Sequence, residues 1–254
     1  AQHMAWQNIA LFPEWNCDVP IYLANHHRGF MHEWLRYQAF YLMEYWRMKH
    51  GEDMLGRVWR ESESHEDPIT AYKRIAGLSQ DQFNAEVWES ACHDITWDFP
   101  LGGYLRRIVD RQSEADRQTW YTHKTRLIAE NGYYRSYPDT VTADHGTEQN
   151  IAFTPHDYGY NAFQLSVPEG GTTVTAEFEG ITGDSRYRTV GDSKAGWRFG
   201  FVGVQGSWTP VYGDMGEATG TAPQASVSFT VPGGGLKQLW FVVSGAPTRH
   251  EIGR

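Results

Sequence analysis

The sequence predicts an α+β protein: a helical N-terminal domain over residues 1–147 that ends in a β-hairpin, then an antiparallel, jelly-roll-like β-sandwich over residues 148–254. Three observations predict it. Apolar residues recur at threes and fours as far as about residue 100 and at twos beyond residue 160, the change of period that separates helix from strand. Tryptophan and glycine divide the same way, because residues 1–147 hold 8 of the 11 Trp and 8 of the 26 Gly, leaving 3 Trp and 18 Gly for residues 148–254. Glycine-, proline- and serine-rich turns separate the short apolar runs of the second half, the pattern of a sandwich.

Gly29 to His50 reads as the clearest helix. Phe30, Trp34, Tyr37, Tyr41, Tyr45 and Met48 make an aromatic stripe, with Lys49-His50-Gly51 as its stop. Asp53 opens a short helix through Arg60. Asp67-Pro68 places a capping acid before a proline at the first helical position of a helix that ends at Gly77. Ser79-x-x-Gln82 is a capping box for a helix reaching Ile95, with Phe83, Val87, Trp88 and Ala91 on its apolar side. Pro100-Leu-Gly-Gly breaks the pattern, and Tyr104 to Arg117 has only weak helical periodicity. Thr122–Ala129 and Tyr133–Tyr137 flank Asn131-Gly132, the pair that favours a tight type I′ hairpin turn, and residues 138–149 read as a linker. Five strands follow: Tyr160–Val167, Thr173–Phe178, Trp197–Gln205, Ser226–Val231 and Lys237–Ser244.

Charge narrows the partners. With 22 Lys+Arg against 31 Asp+Glu the chain carries −9, which repels a phosphate backbone, so nucleic acid is not expected. The basic cluster Arg106, Arg107, Arg111 and Arg117 is interrupted by Asp110, Glu114 and Asp116, as on a solvated face. No run approaches the roughly 18 apolar residues of a membrane span. Only five Lys accompany the many Trp, Tyr and Gly, which points to an extracellular or cell-surface protein. Residues 1–6 lack the basic and apolar pattern of a signal peptide, and the absence of an initiator Met points to a processed end or a piece of a longer gene product. Cys17 and Cys92 have no C-x-x-C spacing, and either one disulfide or two free thiols fits.

His26, His27 and His32, with Glu33, form the densest group of candidate ligands. A helical zinc pair needs two His four apart, and none of His32-Glu33, His65-Glu66 or His250-Glu251 completes H-E-x-x-H. The metal set is therefore unassigned, and the three histidines stand as candidate secondary catalytic groups. Glu44, Glu61, Glu63, Glu66 and Asp67 supply carboxylates that a glycosidase would need in a facing pair. No Gly-x-Ser-x-Gly elbow and no phosphate-cradling loop is present. In the second half Trp197, Trp208, Tyr212 and Trp240 are candidates for an aromatic platform on which a sugar stacks. Trp240 lies in an apolar run that suits a core, which leaves Trp208 and Tyr212 as the binding candidates.

Asn25-His-His-Arg-Gly-Phe-Met-His-Glu-Trp-Leu-Arg-Tyr-Gln38, Gly56-Arg-Val-Trp-Arg-Glu61, Gly196-Trp-Arg-Phe-Gly-Phe-Val202 and Val242-Val-Ser-Gly-Ala-Pro247 together resemble a mostly secreted bacterial family of unknown function. Its members look like thermolysin-type zinc metallopeptidases (gluzincins) in their helical part, followed by a β-sandwich. The resemblance implies that Ala1-Gln-His-Met-Ala-Trp-Gln7 is the tail of the helix carrying the third metal ligand. The metal-binding half would then lie upstream of residue 1, zinc would be bound only through those upstream ligands, and Tyr22, His26, His27 or His32 would contribute secondary groups. A peptide substrate, or that missing N-terminal segment itself, is the partner this implies. The alternative is a non-catalytic extracellular module that binds glycan or protein through its sandwich, or that assembles with neighbouring chains.

Overall fold

The computed structural model describes residues 22, 25–35, 41–100, 125–130, 133–138, 154–183 and 191–252. Helices precede antiparallel strands, as the α+β reading expects. The 3-10 turn Glu33–Leu35 leads to α1 (Tyr41–His50), α2 (Met54–Glu61), α3 (Pro68–Ala76) and α4 (Gln80–Asp94). Strands β1 (Thr125–Glu130) and β2 (Tyr133–Pro138) pair with Glu130 opposite Tyr133, the register of a two-residue hairpin loop. The sandwich strands are β3 (Tyr160–Leu165), β4 (Thr173–Glu179), β5 (Gly196–Val204), β6 (Pro210–Thr219), β7 (Gln224–Thr230) and β8 (Gln238–Gly245). Residues 1–7, Cys17, Tyr104–Arg117, Asn131-Gly132 and most of the predicted linker lie outside the described residues.

The locally coded helix ends form as the sequence dictates. Asp67 Oδ1 accepts from the Thr70 amide at 2.7 Å, Pro68 sits where a missing N–H has no cost, and Gly77 closes α3 in the left-handed region. Ser79 and Gln82 satisfy each other's backbone amides at 3.1 and 2.8 Å and start α4.

The predicted helix from Gly29 to His50 is corrected. Residues 29–32 make turns, Glu33–Leu35 is a 3-10 turn, 36–40 lie outside the described residues, and the α-helix is Tyr41–His50. Its buried face is Tyr41, Leu42, Tyr45 and Trp46, while Met48 is exposed. Tertiary contacts override the aromatic period, because the backbone at 26–29 makes short turns pressed directly against residues 156–160 and does not continue as a helix. Strand β6 was not foreseen. Gly213 and Gly216 interrupt its apolar pattern, since Phe229 and Phe199 occupy the space their side chains would fill.

Strands pair in the order β3-β8-β5-β6, with β4-β7 as a second sheet. The pairs β3 with β8, β4 with β7 and β5 with β6 are nested, the jelly-roll arrangement in six strands rather than eight. Alternate residues of the larger sheet face opposite layers. Phe199, Phe201, Leu239 and Val243 join Val227 and Phe229 in the sandwich core. Val202, Val204, Trp240 and Val242 join Tyr41, Trp46, Tyr72, Phe83 and Trp88 of the helices in the other core. Burial on both faces explains why Leu239-Trp-Phe-Val-Val reads as one apolar run, whereas β4, whose outer face is exposed, alternates strictly.

Helix α4 binds the sheet through specific contacts. Trp88 Nε1 donates to the Val242 carbonyl at 3.2 Å, Asn84 Nδ2 to the Pro247 carbonyl at 2.9 Å, and the buried Arg198 of β5 reaches Asp81. Trp88 rests on Gly200, where a methyl group would come within 2.7 Å of the indole ring. Gly200→Ala is therefore expected to cost about 1–3 kcal/mol through overpacking. The control Gly234→Ala, which meets nothing within 4 Å, should stay within about 0.5 kcal/mol of the parent in urea melts.

Candidate functional site

The histidine turn is pinned to the entrance of β3. The His27 carbonyl accepts from the His156 amide at 2.8 Å and the His26 carbonyl from the Tyr160 amide at 2.9 Å. The two segments approach so closely at Gly29 and Gly159 that a side chain on either would collide with backbone opposite. This approach drives the first two histidines inward, leaving His26 1% and His27 3% exposed. The His26 ring packs on Tyr160 at 4.7 Å between centroids. His27 and His32 each lie 5.9 Å from the His156 ring. Burial, reinforced by His26, His156 and Arg28, pushes His27 down to about 2, so it is a neutral imidazole across the physiological range. His32 is half-buried and is lowered chiefly by burial.

Beside this turn lies a cavity of about 30 Å³, room for about one or two waters. One wall comes from Tyr22, His26, Arg28, Phe30, Leu35 and Leu42. The opposite wall carries Asp94, Ser90, Tyr158 and Tyr160. Asp94, the last residue of α4, is 1% exposed. Its Oδ2 accepts from Tyr22 Oη at 2.6 Å and from Tyr160 Oη at 2.9 Å, while Oδ1 has no hydrogen-bond partner among the described residues. Burial pushes its carboxyl up to about 7, against the opposing pull of the two phenol donors. A carboxyl in this range gives and takes a proton near neutral pH.

A second polar chain shares the Tyr158 wall. His250 lies between Asp67 Oδ2, 2.6 Å from its Nε2, and the Tyr158 hydroxyl, 3.0 Å from its Nδ1. Gln80 Nε2 donates to that hydroxyl at 3.3 Å and to Asn84 Oδ1 at 2.9 Å. The carboxylates proposed for glycosidic chemistry are engaged elsewhere. Glu44 is held by Arg47, Glu61 by Arg57 and Glu66 by Arg74, while Asp67 caps α3.

The aromatic candidates of the second half are dispersed. Trp240 is buried in the helix-facing core, Trp197 flanks the sandwich core, and Trp208 is half-buried against the helical core. Tyr212 is 38% exposed, stacks on His93 at 4.8 Å and donates to Asp98 Oδ2 at 2.8 Å. Thus His26 and Tyr22 meet at one cavity, His27 and His32 at His156, and Tyr212 stands apart from them.

Asp94 and Tyr160 escaped notice in the sequence. A signal was present, since Val87, Ala91 and Asp94 fall on one side of α4 and an acid on an apolar stripe is unusual. Cys92 is a buried free thiol whose ionisation burial disfavours. It should resist alkylation in the folded protein and react once urea unfolds it; rapid native labelling in peptide mapping would contradict its placement.

Among the described residues no three His, Cys, Asp or Glu side chains converge to hold a metal ion, so these residues do not fit a zinc centre. No described helix is long and apolar enough to cross a membrane. Neither curated proteins nor solved structures provide a match to this chain. A family model does match, over residues 1–254, and the chain belongs to that family of unknown function, DUF6055.

Proposed function

We propose that the chain is the C-terminal part of an extracellular or cell-surface hydrolase resembling the thermolysin-like zinc metallopeptidases, with any metal ligands supplied from before residue 1. The supporting observation is the cavity that His26 and Tyr22 line together with Asp94 and Tyr160. Such a reading requires at least one residue of the histidine turn to face a polar recess rather than solvent. Asp94 would exchange a proton near neutral pH, while Tyr22 and Tyr160 hold its other oxygen in place. His26, packed on Tyr160, would position that phenol.

The test uses the natural gene product that carries this chain, with whatever precedes residue 1. Metal analysis and cleavage of an unfolded protein substrate are measured for the parent, His26→Ala and Asp94→Asn. Bound zinc, with hydrolysis falling at least about tenfold in Asp94→Asn while zinc is retained, is the expected result. A folded product without metal or hydrolysis overturns the reading.

A second reading, a non-catalytic module binding glycan or protein, is favoured by Tyr212, whose partly exposed ring is held rigidly by His93 and Asp98. Glycan-array binding lost in Tyr212→Ala and unaffected by Asp94→Asn would select it.

A further inference from the structure

An open groove of about 390 Å³ runs between α3, the start of α4 and the segment after β8. Its polar lining is Thr70, Lys73, Gln80, Thr248, Arg249 and His250, closed on one side by Ile252. In a chain of net charge −9 this lining contains two permanent cations, a histidine, two hydroxyls and no carboxylate.

Nearby acids offset this charge only in part. Asp67 is engaged by the Thr70 amide and by His250 Nε2. Glu251 is shared between Arg249 and Lys194, so two cations meet one anion there. Lys73 makes no ion pair among the described residues; its ammonium donates to Gln80 Oε1 at 2.6 Å and keeps further N–H groups for the groove. Partial burial lowers Lys73, against the opposing attraction of the Asp67 carboxylate.

We propose that this groove binds a small oxyanion, a phosphate, sulfate or carboxylate group, held by the Lys73 ammonium and the Arg249 guanidinium. An oxyanion suits this set because it accepts several charge-assisted hydrogen bonds at once, which chloride cannot orient. The site is separate from the Asp94 cavity but is joined to its wall through Gln80 and Tyr158. It does not depend on hydrolase activity.

The test titrates inorganic phosphate, sulfate, acetate and triglycine into the whole chain by calorimetry and thermal melting, with chloride at matched ionic strength as control. Parent, Lys73→Gln and Arg249→Gln are compared, and far-ultraviolet circular dichroism checks that each variant is folded. Saturable binding of at least one oxyanion, with Kd raised about tenfold or more in both variants, is expected from the loss of one charged hydrogen bond. Preference for phosphate or sulfate would assign a phosphorylated or sulfated ligand. Equal binding of acetate and triglycine would assign a carboxylate. Absence of saturable binding, an effect matched by chloride, or affinity unchanged in both folded variants overturns the proposal.

Discussion

Asp94→Asn should make the protein more stable above neutral pH and no more stable below about pH 4. The carboxyl is held at about 7 in the folded protein, against an ordinary value of 3.8. Between those values the folded chain keeps the proton that the unfolded chain releases, so stability falls as pH rises. The contribution is fully present below about pH 4 and is lost by about pH 7. At about 1.4 kcal/mol per pH unit, the interval amounts to about 4 kcal/mol. In the variant the amide oxygen takes both phenol hydrogen bonds, and the amide N–H group faces a cavity large enough for a water to receive it. His27 acts with the opposite sign. Its depressed ionisation contributes stability above about pH 6.5 that is lost as pH falls toward 2. The difference between parent and variant urea midpoints cancels the His27 effect and isolates Asp94. Parallel curves from pH 4 to pH 8 would show that Asp94 does not titrate as described.

Trp46→Ala is expected to cost about 3–5 kcal/mol, a large share of the stability of a domain this size. Trp46 is 1% exposed, lies flat on Tyr72 at 3.8 Å between centroids and also meets Phe30 and Phe83. Its removal leaves a cavity among α1, α3 and α4 that rigid aromatic neighbours fill poorly. Trp46→Phe should cost much less, because the indole N–H has no hydrogen-bond partner among the described residues and its loss leaves no acceptor unpaired. Equal destabilisation by the two substitutions, read from denaturant melts, would contradict this packing.

Local signals and tertiary ones were unequally legible in the sequence. The ends of α3 and α4 were readable because Asp67-Pro68, Gly77 and Ser79-x-x-Gln82 each act within three or four residues of the backbone groups they satisfy. Five of the six sandwich strands were readable from β-branched and aromatic runs. Strand β6 was hidden because its glycines answer to Phe199 and Phe229 on other strands. The segment at 29–35 makes only local turns, and the His26 and His27 carbonyls just before it bond to amides more than 120 positions away, a constraint that no local period encodes. The candidate site was half visible. Its histidines cluster within seven residues, but Asp94 acquires meaning only when Tyr22 and Tyr160, 72 and 66 positions away, converge on one of its oxygens. No periodicity encodes that convergence.

The Asp94 cavity and the Lys73 groove meet at Tyr158, whose ring lines the first and whose hydroxyl joins the Gln80–His250 chain of the second. The helical layer, the sheet edge and the segment after β8 thus share one polar junction. Its defining property is a buried carboxyl that remains protonated up to neutral pH. The most direct measurement is a carboxyl carbon-13 NMR titration of the whole chain, with the Asp94 resonance assigned by its loss in Asp94→Asn. A midpoint near 7 is expected. A midpoint at or below about 4, the value of a solvated aspartate, would contradict a carboxyl held in a desolvated proton-exchanging site.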